Sequence, residues 1–148
     1  MSKLKHVVFF LMILLSAPVM ADSKSAALEV VQSWTDPLNR QDLDGAVKAF
    51  APDASYLGTT TTTLVSSTDG IRKYFEGIAA KYSPFTVELG QLTVSELSPD
   101  SAVVTGFDRW KVTVGGRAAE WIGRLSIAVA RRDGQWRIVS FHRSAMPN

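Results

Sequence analysis

The sequence predicts an α+β fold in which N-terminal helices pack on a strongly curved antiparallel sheet and enclose a cone. Three observations predict it. Helical periodicity is confined to the part before Pro84, strand-like alternation fills the part after it, and the alternation changes phase at Gly90. A phase change at a glycine implies a bulge, and a bulge bends a strand. With 148 residues, 46% of them hydrophobic, there is room for one core and one domain.

The first 21 residues read as a leader rather than as part of that domain. Lys3 and Lys5 precede an apolar run from Val7 to Leu15, and Ser16-Ala17-Pro18-Val19-Met20-Ala21 follows. A positive start, a short apolar stretch and small residues at −3 and −1 (Val19 and Ala21) define a secretory signal peptide cleaved after Ala21. The run is shorter than the ~20 apolar residues of a spanning helix. The expected product is secreted, into the periplasm, with residues 22–148 as the domain and no membrane attachment. Losing Lys3 and Lys5 from 16 basic residues leaves them level with the 14 acidic ones, so nothing points to nucleic acid.

From Ala26 to about Asn39, Leu28, Val31, Thr35 and Leu38 recur at helical spacing, with Val30 and Trp34 widening the stripe. Pro37 lacks an N–H and disfavours helix at Asp36, which predicts a kink or a stop. Asp42 can cap a short second helix carrying Leu43, Val47 and Phe50, ended by Ala51-Pro52-Asp53. Ser55 to Gly58 reads as a short strand, and the run Thr59 to Thr63 as a loop. A third helix starts at Thr68 or Asp69, with Ile71, Tyr74, Phe75, Ile78 and Tyr82 on one face.

Beyond Pro84, Val87 and Leu89 alternate, then Leu92 and Val94 in the opposite phase. Ser101–Val114, Ala118–Arg131 and Gln135–Ser144 form three further strands, joined at Gly115-Gly116 and Asp133-Gly134. The length of the last turn decides which side chains share a face. A two-residue turn puts Arg124 opposite Arg143. A three-residue loop, Arg132-Asp133-Gly134, puts Arg124 opposite His142 and gathers Leu125, Ile127, Val129, Val139, Phe141 and Arg143 on one face. The three-residue loop is preferred, because that face offers the helices a continuous aliphatic surface.

Two segments carry a family resemblance. Asn39-Arg40-Gln41-Asp42-Leu43-Asp44, followed by Phe50-Ala51-Pro52-Asp53-Ala54, resembles the opening of nuclear-transport-factor-2-like (NTF2-like, SnoaL-like) proteins. The tail from Arg131 to Pro147, with Asp133-Gly134-Gln135-Trp136 and Phe141-His142-Arg143-Ser144, is similar to the association (hub) domain of calcium/calmodulin-dependent protein kinase II and its bacterial relatives of the SgcJ/EcaC type. The resemblance implies a cone, self-association through the sheet as a homodimer or larger assembly, and a pocket for small acidic ligands. It does not extend to a kinase domain. Hub domains line that pocket with arginines, and Arg109 and Arg143 match two such positions. The third falls at Ile127, while Arg124 follows the bacterial pattern.

The expected ligand site is therefore Arg109 and Arg143 with Phe107, Phe141, Trp34 and Tyr56: guanidinium groups for a small anionic compound and aromatic walls for its apolar part. The alternative partner for each arginine is an internal acid such as Asp53 or Asp36. Trp110 and Trp136 are expected on the opposite sheet face, where an apolar patch would form the subunit interface together with His142 and Arg124.

No cysteine is present, and His142 is the only histidine once the leader is removed, so no metal site is expected and no cofactor either. The leading expectation is an exported, non-enzymatic hub-type binding domain. A cofactor-independent isomerase or lyase, such as a cyclase or dehydratase, is the alternative. It would use a cavity carboxylate and Tyr56, from a candidate set of Asp108, Asp53, Tyr56 and His142. A purely structural assembly module is the third reading.

Overall fold

A computed structural model describes residues 22–147. The expected leader lies outside the described residues. Helix α1 spans Ser23–Asn39, α2 Leu43–Val47 and α3 Thr68–Tyr82; the strands are β1 Phe50–Leu57, β2 Thr86–Ser98, β3 Ser101–Val114, β4 Arg117–Arg132 and β5 Gln135–Ala145. They form one sheet in the order β1-β5-β4-β3-β2. Four strands are antiparallel neighbours, but β1 runs parallel to β5, so the sheet is mixed rather than wholly antiparallel.

Local chemistry accounts for the helix boundaries. Asp22 caps α1 by accepting from the Ser25 N–H, Asp42 caps α2 through Gly45, and Ser67 caps α3 through Gly70. Pro37 lies inside α1, and the helix ends within one turn of it, at Asn39. The buried stripe of α1 is Ala27, Val30, Val31, Trp34, Thr35 and Leu38, whereas Leu28 is exposed. Phe50 belongs to β1 rather than to the second helix, and β1 runs through Pro52 as an edge strand, where a missing N–H is tolerated.

The edge of β2 is closed by the residues after α1. The Asn39 carboxamide donates to Val87 O at 2.9 Å and accepts from Val87 N at 2.6 Å, and Gln41 donates to Phe85 O at 3.2 Å. One side chain thus satisfies both backbone groups of an edge residue that would otherwise invite another strand. At Gly90 the β2–β3 register shifts between Leu89 and Leu92, as the phase flip predicts.

The last hairpin differs from expectation at its turn and in its register, with Arg124 opposite Ser144 rather than His142, yet it gathers Phe141 and Arg143 on the expected face. Asp133 and Gly134 take positive φ values of 50° and 77°, with Arg132 opposite Gln135, which makes a two-residue turn. Further along, Val129 pairs with Ile138 but Ala128 pairs with Ser140, so Val139 is an unpaired bulge. The bulge restores the parity that the shorter turn removes. Phe141 and Arg143 therefore face inward with Leu125 and Ile127, while Ile138, not Val139, is the fully buried residue before the bulge.

The narrow end of the cone is packed solid. Trp34 meets Phe141 edge-on at 4.9 Å, Tyr56 stacks on Phe141 at 4.8 Å, and Phe75 and Phe50 close around Tyr56. Burying each side chain of this kind contributes about 1.5–3 kcal/mol. Trp34, Tyr56 and Phe141 are thus core residues rather than walls of a hollow, which corrects the sequence expectation. Trp34 Nε1 is the buried donor left without a hydrogen-bond partner among the described residues.

Candidate functional site

The phase of β3 rearranges the expected site. Ala102, Val104, Asp108, Trp110 and Val112 point to the helix side and are buried. Phe107, 44% exposed, and Arg109 point to the outer face, where Arg109 pairs with Glu120 at 3.5 Å. The expected pair of arginines is therefore split: Arg143 is inside and Arg109 outside. Trp110 is likewise not on an exposed patch, and Trp136 is half-buried at the rim of the helix side, beneath the Arg131 guanidinium. Of the expected interface residues, Arg124 and His142 do lie exposed on the outer face.

Arg143 finds its acid within the fold, but the acid is neither Asp36 nor Asp53. Its Nε donates to both oxygens of Asp108, at 2.8 and 2.9 Å. Nη1 donates to Thr59 Oγ1 at 2.7 Å and Nη2 to the Trp121 carbonyl at 3.2 Å. The indole N–H of Trp110 donates to Asp108 Oδ2 at 2.9 Å, and its ring lies 5.6 Å below the guanidinium carbon. Arg143 is 7% exposed and Asp108 1%. Such a pair persists in the interior only because each charge is met by the other and by additional hydrogen bonds.

Arg143 forms part of the lining of a cleft of about 430 Å³ at the wide end of the cone. Tyr74, Ile78 and Tyr82 of α3 form one wall, Trp121 and Ile122 of β4 another, and Thr59 and Thr60 the loop side, with Trp110 deeper. Tyr82 meets Trp121 edge-on at 4.7 Å. Two glycines make room for the polar heads. A β-carbon at Gly58 would lie 2.4 Å from the Tyr74 hydroxyl, and one at Gly123 would lie 2.4 Å from Arg143 Cζ. Asp108 pairs across the sheet with Gly123, so the empty position on β4 is the passage by which Arg143 of β5 reaches β3.

Tyr56 lies behind Tyr74, at 4.9 Å between rings. Its burial, the first cause, and the neighbouring Tyr74 hold its hydroxyl proton well above the usual tyrosine range. The side chains facing the cleft are thus Tyr74 and Tyr82, which the sequence reading placed only on the apolar face of α3. No group of three or more His, Asp or Glu side chains able to hold a metal occurs among the described residues.

These features define a class: a small α+β cone, filled at its narrow end and hollow at its mouth, with a charge-paired floor and aromatic walls. The SnoaL-like domain family matches residues 27–148, and the chain belongs to that family. No curated protein matches the sequence. Among solved structures, a candidate calcium/calmodulin-dependent protein kinase II association domain from Xanthomonas campestris superposes with a TM-score of 0.76 at 26% identity, covering 88% of this chain and 92% of that one. An NTF2-like protein of unknown function from Pseudomonas putida KT2440 gives 0.73 at 20%, covering 86% and 92%. A candidate scytalone dehydratase from Novosphingobium aromaticivorans gives 0.72 at 15%, covering 84% of each chain, a likeness of fold alone.

Proposed function

We propose that this chain is an exported SnoaL-like domain that holds one small ring-containing organic compound in the cleft at the mouth of its cone. The observation that carries this reading is the cleft itself: about 430 Å³, walled by Tyr74, Tyr82, Trp110 and Trp121, with a buried arginine in its lining. That volume falls in the range of about 300–1,000 Å³ typical of small-molecule sites. Aromatic walls favour a flat ring, and the residual guanidinium N–H groups favour a ligand with an oxygen acceptor. Export rests on the leader sequence alone. Native mass spectrometry of the protein purified from its own periplasm tests the binding reading: a discrete bound mass is expected, lost in Trp121→Ala. An empty cleft whose tryptophan fluorescence no ring compound alters overturns it.

We also propose self-association through the outer sheet face. Phe107 and Ile122 are 44% and 46% exposed there, beside Arg124 and His142, and no helix among the described residues covers them. Large apolar side chains clustered on an uncovered sheet are a common interface signature.

An enzymatic reading, that of a cofactor-independent isomerase or lyase, draws support from the tyrosines that border the cleft. It requires a different assignment from the sequence expectation. Tyr56 is shut behind Tyr74, and Asp108 already accepts from Arg143 and Trp110. Tyr74 is then the proton donor, and Tyr74→Phe should stop turnover of a ring alcohol while leaving its binding intact.

A further inference from the structure

The cleft contains a cation whose anion is already in place, and this fixes the kind of compound the site can take. This selectivity presupposes that the cleft is a ligand site, as proposed above. Asp108 does not line the cleft; it lies behind Arg143 and Trp110, at 1% exposure, with both carboxylate oxygens on the Arg143 Nε. A ligand carboxylate entering the cleft would have to shed water against a guanidinium whose charge is already compensated, with a second carboxylate close behind it. The rim adds Glu120, itself half-exposed and shared with Arg109 on the other face. Arg143 and Glu120 are the charged side chains that line the cleft, so the lining offers an acid no unpaired cation. Desolvating a carboxylate without a free counter-charge is unfavourable.

What the site does offer is hydrogen bonding without net charge. One N–H remains on each terminal nitrogen of Arg143 after Thr59 and the Trp121 carbonyl are served. The Tyr74 hydroxyl lies 3.4 Å from Thr60 Oγ1 at the same wall. These groups suit a carbonyl, amide or ether oxygen on a ring packed against Tyr82 and Trp121.

We infer that Asp108 is the specificity-determining residue of the cleft: its carboxylate occupies the seat on Arg143 that a ligand acid would take, so the site admits uncharged ring compounds and turns away the corresponding acids. Asp108 acts through Arg143 and is a positioning residue, not one that touches the ligand. The anionic ligand expected from the hub resemblance is thereby replaced by a neutral one.

Matched probes test this: benzamide against benzoate, and 2-naphthamide against 2-naphthoate, titrated by tryptophan fluorescence at pH 7 and fixed ionic strength. The wild-type protein should bind each amide about tenfold or more tighter than its acid, the penalty expected for juxtaposed like charges. Asp108→Asn keeps an acceptor for the Arg143 Nε but removes the charge, and should raise acid affinity about tenfold with little change for the amide. Adding Arg143→Gln should abolish that gain. A wild-type protein that binds acid and amide equally, or an Asp108→Asn variant with an unchanged ratio, overturns the role of Asp108 while leaving the cleft a ligand site. If no probe binds either protein, the ligand-site reading falls and this one with it. The wild-type ratio decides the matter alone should Asp108→Asn not fold.

Discussion

The guanidinium of Arg143 lies across Gly123, where a β-carbon would come within 2.4 Å of Cζ. The contact is the far end of a flexible side chain, but that end is held by Asp108, Thr59 and the Trp121 carbonyl. A methyl group at Gly123 must therefore push the guanidinium off its carboxylate. Gly123→Ala should cost about 1–3 kcal/mol, as overpacked interiors do. In an Arg143→Met background the same change should be nearly neutral. A double-mutant cycle by urea denaturation measures this coupling, and additive costs would show that Gly123 serves some purpose other than passage.

Breaking the ion pair from one side should cost more than dismantling it. Asp108→Ala strands a buried guanidinium, and such losses run to about 3–5 kcal/mol. Asp108→Leu combined with Arg143→Met leaves no uncompensated charge and should be the more stable variant of the two. Thermal unfolding of the three proteins side by side checks the order.

Tyr56 supplies a pH dependence whose sign follows from linkage. Its proton is held more tightly in the folded protein than in the unfolded chain, so folding stability is unaffected below the ordinary tyrosine pKa and is lost above it. Above about pH 10 the unfolded chain sheds a proton that the native state retains, and stability should fall by about 1.4 kcal/mol per pH unit from this residue. Tyr56→Phe should flatten that alkaline limb. Ultraviolet titration of the three tyrosines should show Tyr56 ionising only as the fold is lost.

Self-association through the outer face predicts that Phe107→Glu together with Ile122→Glu yields a monomer with unchanged far-ultraviolet circular dichroism. Both side chains are already solvent-exposed in the isolated chain, so the substitutions leave its core alone, and because Ile122 also borders the cleft, Phe107→Glu by itself should give the same monomer. Sedimentation velocity at micromolar concentration gives the answer: a wild-type protein that sediments as a monomer removes this interface.

Much of the fold is legible in local signals. The Asp42 cap, the Gly90 bulge, the place of the last hairpin at Asp133-Gly134 (though not the length of its turn) and the buried face of α3 each depend on residues a few positions apart. The phase of β3 was also present in the sequence. Ala102, Val104, Trp110 and Val112 share one face, whereas Thr105, Arg109, Lys111 and Thr113 share the other. The resemblance implied Arg109 on the cavity face, whereas the alternation of β3 itself puts it among the polar residues of the outer face. The Val139 bulge carried no signal of its own: valine is an ordinary strand residue, and the extra position is revealed only by its partners Val129 and Ala128.

The chain by itself determined a cone of helices on a bent sheet, because caps, turns and alternation act over short distances. Only the tertiary structure decided that Arg143 meets Asp108, since they lie 35 positions apart on strands separated by β4, joined through the space that Gly123 leaves open. An ion pair between non-neighbouring strands depends on two registers at once, β5 on β4 and β4 on β3, and a single slipped residue in either would turn one partner to the opposite face.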